Sequence, residues 1–536
     1  TRQGIARECN CFFDNLTNAK ILSIINYGGF CVDCVLWYGR MDMHTIGFDN
    51  ALYLKLQTQH IRERIAQFGG KLYLEFGGKL FDDYHASRVL PGFEPDSKLK
   101  MLLQLREQAE LVLVLNANDI EHSKRRGDLD ITYDADALRL IDEARARGLS
   151  ANSVVITQYC GQPAAEAFAH KLVQLGIRVY RHYPIEGYPS NLSLIVSPDG
   201  FGKNDFVETE KPLVVVTAPG PGSGKMAVCL SQLYHEHQRG VAAGYAKFET
   251  FPVWNLPQQH PVNLAYEAAT LDLEDKNVID PYHLQAYNTV AVNYNRDVEV
   301  FPVLKAIFEA IYGKSPYCSP TDMGVNMAGF CLSNDEVCQQ AARMEIVRRY
   351  YAARCALRMG VGSEEEVRNA ELIMNQAHVT REDRRVVAPA LEVAEKTGQP
   401  AAAMEMPDGR IVTGKTSDLL GASAALLLNA LKALAGIKKE IDLISATIIE
   451  PIQDLKVNHL GNHNPRLHTD EILVALSICA ATNPTAELAM QALQDLRGCE
   501  VHSSVILSSV DENTFRKLGI NLTCEPRYQS KQLYHK

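Results

Sequence analysis

Three short segments of the chain are almost entirely apolar, and they constrain the fold more than any other feature. They are residues 111–115 (LVLVL), 153–157 (SVVIT) and 213–217 (LVVVT). A strand with one face in water alternates apolar and polar side chains, whereas a strand covered by helices on both faces is apolar throughout. The three segments therefore predict strands of a parallel sheet buried between two layers of helices.

Helical segments separate these strands from one another and from two further predicted strands, at residues 71–76 and 177–180. Apolar residues recur at helical spacing near residues 49–68, 98–109, 135–147, 163–175 and 225–238. Strand and helix alternating at this pitch are typical of doubly wound α/β proteins. We therefore predict an α/β fold with a large N-terminal, mostly parallel three-layer domain, a helical middle section and a smaller C-terminal α/β domain.

Changes in the sequence pattern suggest where these parts begin and end. Residues 44–334 are predicted to form the large domain, with a long polar and aromatic insertion, and residues 335–400 the helical section. Residues 401–536 are predicted to form the smaller domain, including a strand near residues 441–449. Residues 1–43 are expected to be an extension outside the fold. Cys9, Cys11, Cys31 and Cys34 in that extension have a spacing that zinc could use, but no metal site is predicted there.

The net charge argues against two classes of partner, and the cysteine pattern indicates a cellular compartment. A net charge of −10 argues against a broad nucleic-acid or membrane surface, because either surface needs a basic stripe. The basic triplet Lys124-Arg125-Arg126 is followed by Asp128 and Asp130 and is interpreted as a solvated turn. The 13 cysteines are scattered, as in a reduced cytoplasmic protein. We expect a cytoplasmic protein without nucleic-acid or membrane partners, and the long insertion is compatible with a homo-oligomer.

The candidate functional centre is residues 219–225 (PGPGSGK), here called the glycine-rich turn. It follows an apolar strand and precedes a helix, the order in which backbone N–H groups and a lysine surround phosphate oxygens. Gly220, Gly222, Ser223, Gly224 and Lys225 are the predicted phosphate-binding residues. Pro219 replaces the first glycine of the usual pattern, and Met226 replaces the hydroxyl that holds magnesium. Phosphate binding, nucleotide hydrolysis and a purely structural turn all remain open.

Polar residues also follow the other predicted strands, at the edge where ligands bind in open α/β sheets. Lys79 and Arg181 are predicted to bind an anionic ligand. The candidate groups for acid–base chemistry are Glu75, Asp82, Asp83 and His85. Asp82 and Asp83 suit the start of a helix equally well.

A second candidate segment is residues 319–329 (SPTDMGVNMAG). Its small residues, with Thr321, Asp322 and Asn326, suit either a backbone close to a ligand or an ordered turn before a helix. His235 and His237 do not have the spacing of a zinc signature. His459, His463 and His468 have a spacing that could supply two metal ligands, but no clear carboxylate third ligand accompanies them, and no metal site is predicted. The cofactor is unknown from the sequence.

Four long segments resemble bacterial proteins of the domain-of-unknown-function family 1846. They are residues 72–100 (LYLEFGGKLFDDYHASRVLPGFEPDSKLK), 213–226 (LVVVTAPGPGSGKM), 245–269 and 319–329. The resemblance covers roughly residues 44–525 and implies a bacterial protein with the three parts predicted above. The family's turn also ends in Lys-Met, so Met226 belongs to its pattern. The resemblance implies no activity and no catalytic residues.

Three functional hypotheses follow from these observations. The first is a protein that binds a phosphate-bearing small molecule or nucleotide at the carboxyl edge of the sheet, with an unknown reaction. The second is a non-catalytic oligomeric or ligand-sensing protein that uses the same anion site. The third is a metal-dependent hydrolase. The sequence does not decide whether the protein is an enzyme.

Overall fold

The computed structural model describes residues 46–529 with the exception of Asp82 and Asp128. The expectations for residues 1–43, including the four cysteines, lie outside the described residues. The strands are β1 Leu72–Phe76, β2 Ala109–Asn116, β3 Arg125–Arg126, β4 Ile131–Thr132, β5 Ser150–Thr157, β6 Arg178–Arg181, β7 Leu213–Thr217, β8 Gly244–Phe248, β9 Asn277–Ile279, β10 Val292–Tyr294, β11 Gly324–Val325, β12 Ala401–Glu405, β13 Ile411–Lys415, β14 Glu500–Ser503 and β15 Asn521–Cys524.

Helices account for most of the remaining structure. Those up to residue 323 are α1 Asn50–Gln67, α2 Tyr84–Val89, α3 Ser97–Gln104, α4 Ala117–Glu121, α5 Tyr133–Ala146, α6 Pro163–Gln174, α7 Leu192–Ile195, α8 Lys225–Gln238, α9 Pro261–Glu267, α10 Pro281–Tyr287, α11 Asn295–Tyr312 and α12 Pro320–Met323. The later ones are α13 Asp335–Met359, α14 Glu364–Gln376, α15 Val387–Thr397, α16 Ala422–Leu434, α17 Ala446–Asp454, α18 Thr469–Ala480, α19 Pro484–Gln491 and α20 Ser509–Lys517. Short 3-10 helices lie at Phe201–Lys203, Leu271–Leu273, Ala328–Phe330 and Ala492–Leu496, and a π-helical segment, Leu455–His459, continues α17.

Seven strands of the described chain form one sheet, in the order β11–β8–β1–β7–β2–β5–β6. Every neighbouring pair is parallel, so all seven strands end at the same edge, here called the carboxyl edge. Strands β1, β2, β5 and β7 are buried along nearly their whole length, because helices cover both faces. This confirms the predicted three-layer α/β domain.

The two faces of the sheet carry different helices. Side chains of α1, α3, α5 and α6 pack with one face, which presents residues such as Leu74 and Leu113. Side chains of α8 and α11 pack with the other, which presents Tyr73, Val112 and Val216. Odd and even strand positions point to opposite faces, so each strand contributes to both cores.

The order of the strands shows where the chain changes direction. From β1 the chain moves over one strand position to β2 and adds β5 and β6 beyond it. It then returns to place β7 between β1 and β2, and continues to β8 and β11 on the far side of β1. The helices that follow β2 and β5 cover one face, whereas α8, which follows β7, covers the other. The carboxyl end of β7 is therefore a point at which neighbouring connections diverge.

The rest of the described chain comprises a helical section and a smaller sheet. The 25-residue helix α13 packs against α9, α14 and α2. The second sheet has the order β13–β12–β14–β15, with antiparallel pairs except for β14 and β15, which are parallel. Helix α16 packs against β12 and β13 around a separate apolar core. These features confirm the predicted helical section and smaller α/β part.

One predicted strand, near residues 441–449, is wrong. The structure has irregular backbone up to Ser445 and the helix α17 from Ala446. Ile449 faces the core of the smaller sheet, whereas Ile448 is exposed, as expected for a helix with one buried side. A short apolar run has the same composition in a strand and in a helix, so its pattern alone cannot distinguish them.

A buried ion cluster joins α13 to its surroundings. The carboxylate of Glu345 is 1% exposed and accepts hydrogen bonds from Arg88 of α2 at 2.9 Å and from Arg348 and Arg349 of its own helix at 2.7 and 2.9 Å. Burial opposes its charge, but the arginines outweigh burial and hold the pKa of Glu345 well below its usual range. Arg348 also pairs with Glu500 of β14 at 2.8 Å, which extends the cluster to the smaller sheet.

A second buried arginine completes the connection to that sheet. Arg384 is 2% exposed and pairs with Glu500. It also donates to the carbonyl oxygens of Val501 and Asn521 at 2.8 and 2.9 Å and to Thr523 Oγ1 at 2.9 Å. A guanidinium that donates to two neighbouring strands fixes the distance between them more tightly than apolar packing does.

We expect the change Glu345→Gln to destabilise the protein by about 3–5 kcal/mol, because it leaves buried arginine charges without their counter-charge. Urea unfolding, extrapolated linearly to water, measures the change. The control is Glu371→Gln, on an exposed position of α14, for which we expect a change within about 0.5 kcal/mol. A loss below about 1 kcal/mol in Glu345→Gln would contradict the role assigned to this cluster.

Candidate functional site

The glycine-rich turn connects β7 to the 14-residue helix α8, as the sequence predicts. Gly222 and Gly224 have φ angles of +75° and +89°, in the left-handed region that side-chain-bearing residues rarely adopt. Gly224 is the residue that immediately precedes α8, and it has no side chain with which to cap the helix. These glycines are therefore required by the backbone path.

Gly220 is required for a different reason, which is a close approach. A Cβ atom at this position would lie 2.2 Å from the hydroxyl oxygen of Tyr133, at the start of α5. A Cβ atom at Gly224 would lie 3.3 Å from the nearest side-chain atom of Thr157. The turn is thus packed directly against residues that follow or end the neighbouring strands β2 and β5.

Two polar side chains at the ends of those strands hold the turn in place. Thr157 Oγ1, at the end of β5, donates to the carbonyl oxygen of Ser223 at 2.6 Å. Asn116 Nδ2, at the end of β2, donates to the carbonyl oxygen of Gly222 at 3.4 Å. The carbonyl groups of the turn accept both hydrogen bonds, and these bonds fix the position of the turn at the carboxyl edge.

Several donors of the turn have no partner in the described part of the chain. The Ser223 hydroxyl is buried and makes no hydrogen bond there, although the residue is only 2% exposed. Lys225 forms no ion pair with any described residue, and no side chain caps the first turn of α8. A helix N-terminus carries partial positive charge from its unpaired N–H groups. The turn is therefore a local concentration of unused donors and positive charge.

Met226 does not supply the hydroxyl that usually accompanies such a turn. Its side chain packs against the apolar core on the α8 face of the sheet. The residue is therefore used for packing, which agrees with the departure from the magnesium-binding pattern noted in the sequence.

Glu75 is the predicted acid–base residue that lies at the same edge as the turn. It is 8% exposed and accepts a hydrogen bond from the hydroxyl of Tyr245 at 2.6 Å. In the sheet it pairs with Val216 of β7 on one side and Lys247 of β8 on the other. Glu75 thus lies one strand away from β7, towards the β8 side of the sheet.

The other acidic candidates and Lys79 have different surroundings. Asp82 lies outside the described residues, and Lys79 is exposed. Asp83 caps α2 by accepting from the Ala86 N–H at 3.2 Å and pairs with Lys98 at 2.7 Å. Burial opposes the charge of Asp83, but Lys98 and the helix N–H outweigh it and lower the pKa of Asp83. Asp83 therefore has the helix-start arrangement that the sequence left open.

His85 belongs to the buried ion cluster and not to the glycine-rich turn. Its Nδ1 lies 3.3 Å from Glu345 Oε1 and 3.3 Å from Arg349, and its ring packs edge-on against Phe251 and Tyr266. Burial, the largest effect, lowers the pKa of His85 although Glu345 opposes it. A histidine kept neutral by apolar rings and arginines is here part of the packing around α2.

Arg181 is already paired. Its guanidinium lies 3.1 Å from Glu166 and 5.1 Å from the centre of the Tyr159 ring. These contacts keep Arg181 near the end of β6, where Glu166 already supplies an opposing charge.

Thr321, Asp322 and Asn326 all stabilise loops through internal hydrogen bonds. Thr321 Oγ1 donates to Asp280 at 2.7 Å, and Asp322 forms a capping box with Ser319 at the start of α12. Asn326 Nδ2 donates to the carbonyl oxygens of Thr250 and Pro252, each at 3.0 Å. The segment contains the short helix α12 and the strand β11, and Thr321, Asp322 and Asn326 also line a cavity.

This cavity, of about 290 Å³, lies beyond the carboxyl ends of β8 and β11. Lys247, at the end of β8, pairs there with Asp297 of α11 and with Glu249 at 2.8 Å. Burial and the neighbouring carboxylates raise the pKa of Glu249 to about 7, although Lys247 opposes them. Lys247, Glu249 and Asp297 are not among the residues predicted from the sequence. The signal available was the charged pair Lys247 and Glu249, which lies on either side of Phe248 at the end of β8.

The histidines considered for a metal are not gathered into one site. His468 pairs with Asp511 at 3.1 Å at the start of α18, and His235 bonds to the backbone oxygen of Asn204 at 2.8 Å. Among the residues that the structure describes, no group of three or more His, Cys, Asp or Glu side chains is arranged to hold a metal ion. Within the same residues, no helix combines the length and the apolar character needed to cross a lipid bilayer.

Comparison with known proteins shows the class of protein to which this fold belongs. The N-terminal model of the domain of unknown function DUF1846 matches residues 46–378, and the C-terminal model matches residues 382–534. The chain belongs to this family, which confirms the resemblance found in the sequence.

Individual relatives are similar over nearly their whole length. A UPF0371 protein of Corynebacterium urealyticum is 60% identical over 494 residues, which cover 92% of this chain and 99% of the relative. A UPF0371 protein of Streptococcus pyogenes is 58% identical over 494 residues, which cover 92% of this chain and all of the relative. Homologues of this chain therefore occur in bacteria.

We expect Gly220→Ala to destabilise the protein by about 1–3 kcal/mol, because the new methyl group overlaps the Tyr133 ring and hydroxyl. Gly127→Ala is the control, since a Cβ atom there meets no other atom within 4 Å, and its effect should stay within about 0.5 kcal/mol. Urea unfolding of the two variants measures the difference. Equal stability of both variants would show that the turn is not held against Tyr133.

Proposed function

We propose that the protein binds a phosphate-bearing small molecule or nucleotide at the carboxyl edge of the parallel sheet, with the glycine-rich turn around the phosphate. The observation that carries this proposal is the uncapped start of α8 beside Lys225 and the buried Ser223 hydroxyl, of which the first has no ion pair and the second no hydrogen bond within the described part of the chain. Phosphate oxygens are strong acceptors with negative charge, and they suit a set of unused donors at a helix N-terminus.

The topology of the sheet supports the same location. In open α/β sheets, ligands bind where neighbouring connections leave towards opposite faces. Here α8 follows β7 to one face, whereas the helix that follows β2 packs on the other. The glycine-rich turn lies at this divergence, between the carboxyl ends of β1 and β2.

The packing of Met226 favours binding over hydrolysis of a magnesium nucleotide. A hydroxyl at that position would be the usual protein ligand of magnesium, and the thioether of Met226, which packs against the core, cannot replace it. The proposal covers both a ligand-sensing protein and an enzyme that acts on a phosphorylated molecule. The two differ in that only the enzyme converts the bound compound to a product. A metal-dependent hydrolase has no supporting cluster of ligands among residues 46–81, 83–127 and 129–529.

A thermal-shift screen against inorganic phosphate, ADP, ATP and hexose phosphates tests the proposal. A ligand at one hundred times its dissociation constant should stabilise the folded protein by about 2.7 kcal/mol. In Lys225→Met we expect affinity for the same compound to fall at least about tenfold, because a charge-assisted hydrogen bond is lost.

Lys171→Met is the matched control for Lys225→Met. Lys171 is an exposed lysine in the last turn of α6, which runs away from the carboxyl edge, and its loss should leave affinity unchanged. An absence of any shift across the compounds, or equal weakening in both variants, would reject the phosphate site. Incubation of a bound compound with and without Mg²⁺, followed by product analysis, then separates sensing from catalysis.

A further inference from the structure

The cavity beyond β8 and β11 is separate from the glycine-rich turn, although both lie at the carboxyl edge. Strand β1 lies between β8 and β7, so the two places are about two strand spacings apart, roughly 10 Å. A volume of about 290 Å³ accommodates a small organic molecule. The nature of that molecule follows from the charges and rings of the walls.

Both cationic side chains in the walls are already used. Lys247 is held by Asp297 and Glu249. Arg64 donates to the backbone oxygens of Asp322 and Gly324. Lys247 is thus neutralised by carboxylates, whereas Arg64 is bonded to backbone oxygens and its buried Nε has no hydrogen-bond partner among the described residues.

The carboxylates of the walls outnumber these cations. Glu249, Asp297 and Asp322 line the cavity together with Lys247 and Arg64, which leaves an excess of one negative charge when these five groups are ionised and the lining histidines, His60 and His283, are neutral. Asp322 accepts from two backbone N–H groups and from the Tyr287 hydroxyl. Glu249 is different, because its Oε1 pairs with Lys247 while its Oε2 has no hydrogen-bond partner among the described residues. Its side chain is 24% exposed and can therefore accept from a ligand.

Aromatic side chains form another part of the walls. Trp254 and Phe330 line the cavity and pack edge to face, with their ring centres 5.9 Å apart. Phe330 is 50% exposed, which is unusual for a large apolar side chain and leaves its ring accessible. Aromatic faces attract organic cations through the ring quadrupole and also bind their carbon atoms.

We propose that this cavity binds a small organic cation that carries a primary amino group. Its ammonium group pairs with Glu249 Oε2, and its carbon skeleton lies against Trp254 and Phe330. The proposal stands on the cavity and its walls and does not depend on phosphate binding at the glycine-rich turn.

The protonation behaviour of Glu249 agrees with this assignment. Burial, and then the negative charges of Asp297 and Glu75, raise the pKa of Glu249 to about 7 against the opposing effect of Lys247. The titratable groups that face Glu249 from the surrounding elements are Lys247 on β8, Asp297 on α11, Glu75 on β1, Tyr266 on α9, and Tyr294 on β10. The part of this rise that comes from Asp297 and Glu75 reflects negative charge beside Glu249, and the same negative charge attracts an entering cation.

Calorimetric titration with n-butylamine, using 1-butanol as the uncharged compound of equal length, tests the proposal. We expect n-butylamine to bind at pH 8 and 1-butanol to bind at least about tenfold more weakly. Affinity for n-butylamine should fall about tenfold between pH 8 and pH 6, because Glu249 takes up its proton over this range while the amine stays charged. Equal binding of the two compounds, an affinity independent of pH, or no heat with n-butylamine would overturn the proposal.

Variants locate the site. Glu249→Gln should weaken n-butylamine binding at pH 8 at least about tenfold, whereas Glu299→Gln, an exposed position on α11, should not change it. Phe330→Leu, at an exposed ring, should weaken binding about two- to fivefold and provides a second test if Glu249→Gln does not fold. Lys225→Met should leave amine binding unchanged, so failure of this proposal is distinguishable from failure of the phosphate site. Unchanged affinity in both Glu249→Gln and Phe330→Leu would place the amine elsewhere.

Discussion

The parallel sheet is stable only if helices cover both of its faces, and the position of every candidate site depends on how the chain meets this requirement. The chain covers one face with helices that flank β1, β2 and β5, then returns to insert β7 between β1 and β2. Helix α8 covers the opposite face. Because the glycine-rich turn makes this change of face, it lies where neighbouring connections diverge, and the polar ends of β2 and β5 contact it from one side.

Buried ion pairs determine how α13 and the smaller sheet pack against their neighbours. The small sheet and α13 could pack against their neighbours by apolar contact alone, but such contact tolerates sliding. The pairing of Glu345 with arginines of two helices, and of Glu500 with Arg348 and Arg384, requires particular distances and angles. His85 lies in this cluster, which explains why a histidine next to a strand end is not near the glycine-rich turn.

Much of the fold could be predicted, because strands buried on both faces and amphipathic helices have distinct local patterns. The strand proposed for residues 441–449 failed because a short apolar run fits either structure. The candidate site could be predicted only in part. The turn was found from its glycines and lysine, but Glu249 and Asp297 are 48 residues apart and meet only because α11 begins beside the end of β8. The sequence could not show that Arg181 and Asp83 already have charged partners, since Glu166 and Lys98 are recognisable as those partners only in three dimensions.

The sequence by itself determined the α/β class, the family and the glycine-rich turn, because these depend on neighbouring residues along the chain. Only the tertiary structure decided which polar residues share a site. Strand order is set by packing between distant segments, and it brought β7 next to β1 and β2 and placed Lys247 level with Glu75. It also decided which charges are already neutralised. Pairing leaves Lys225 and one oxygen of Glu249 without partners among the described residues, and electrostatic attraction to ligands requires charges that the fold has not already paired.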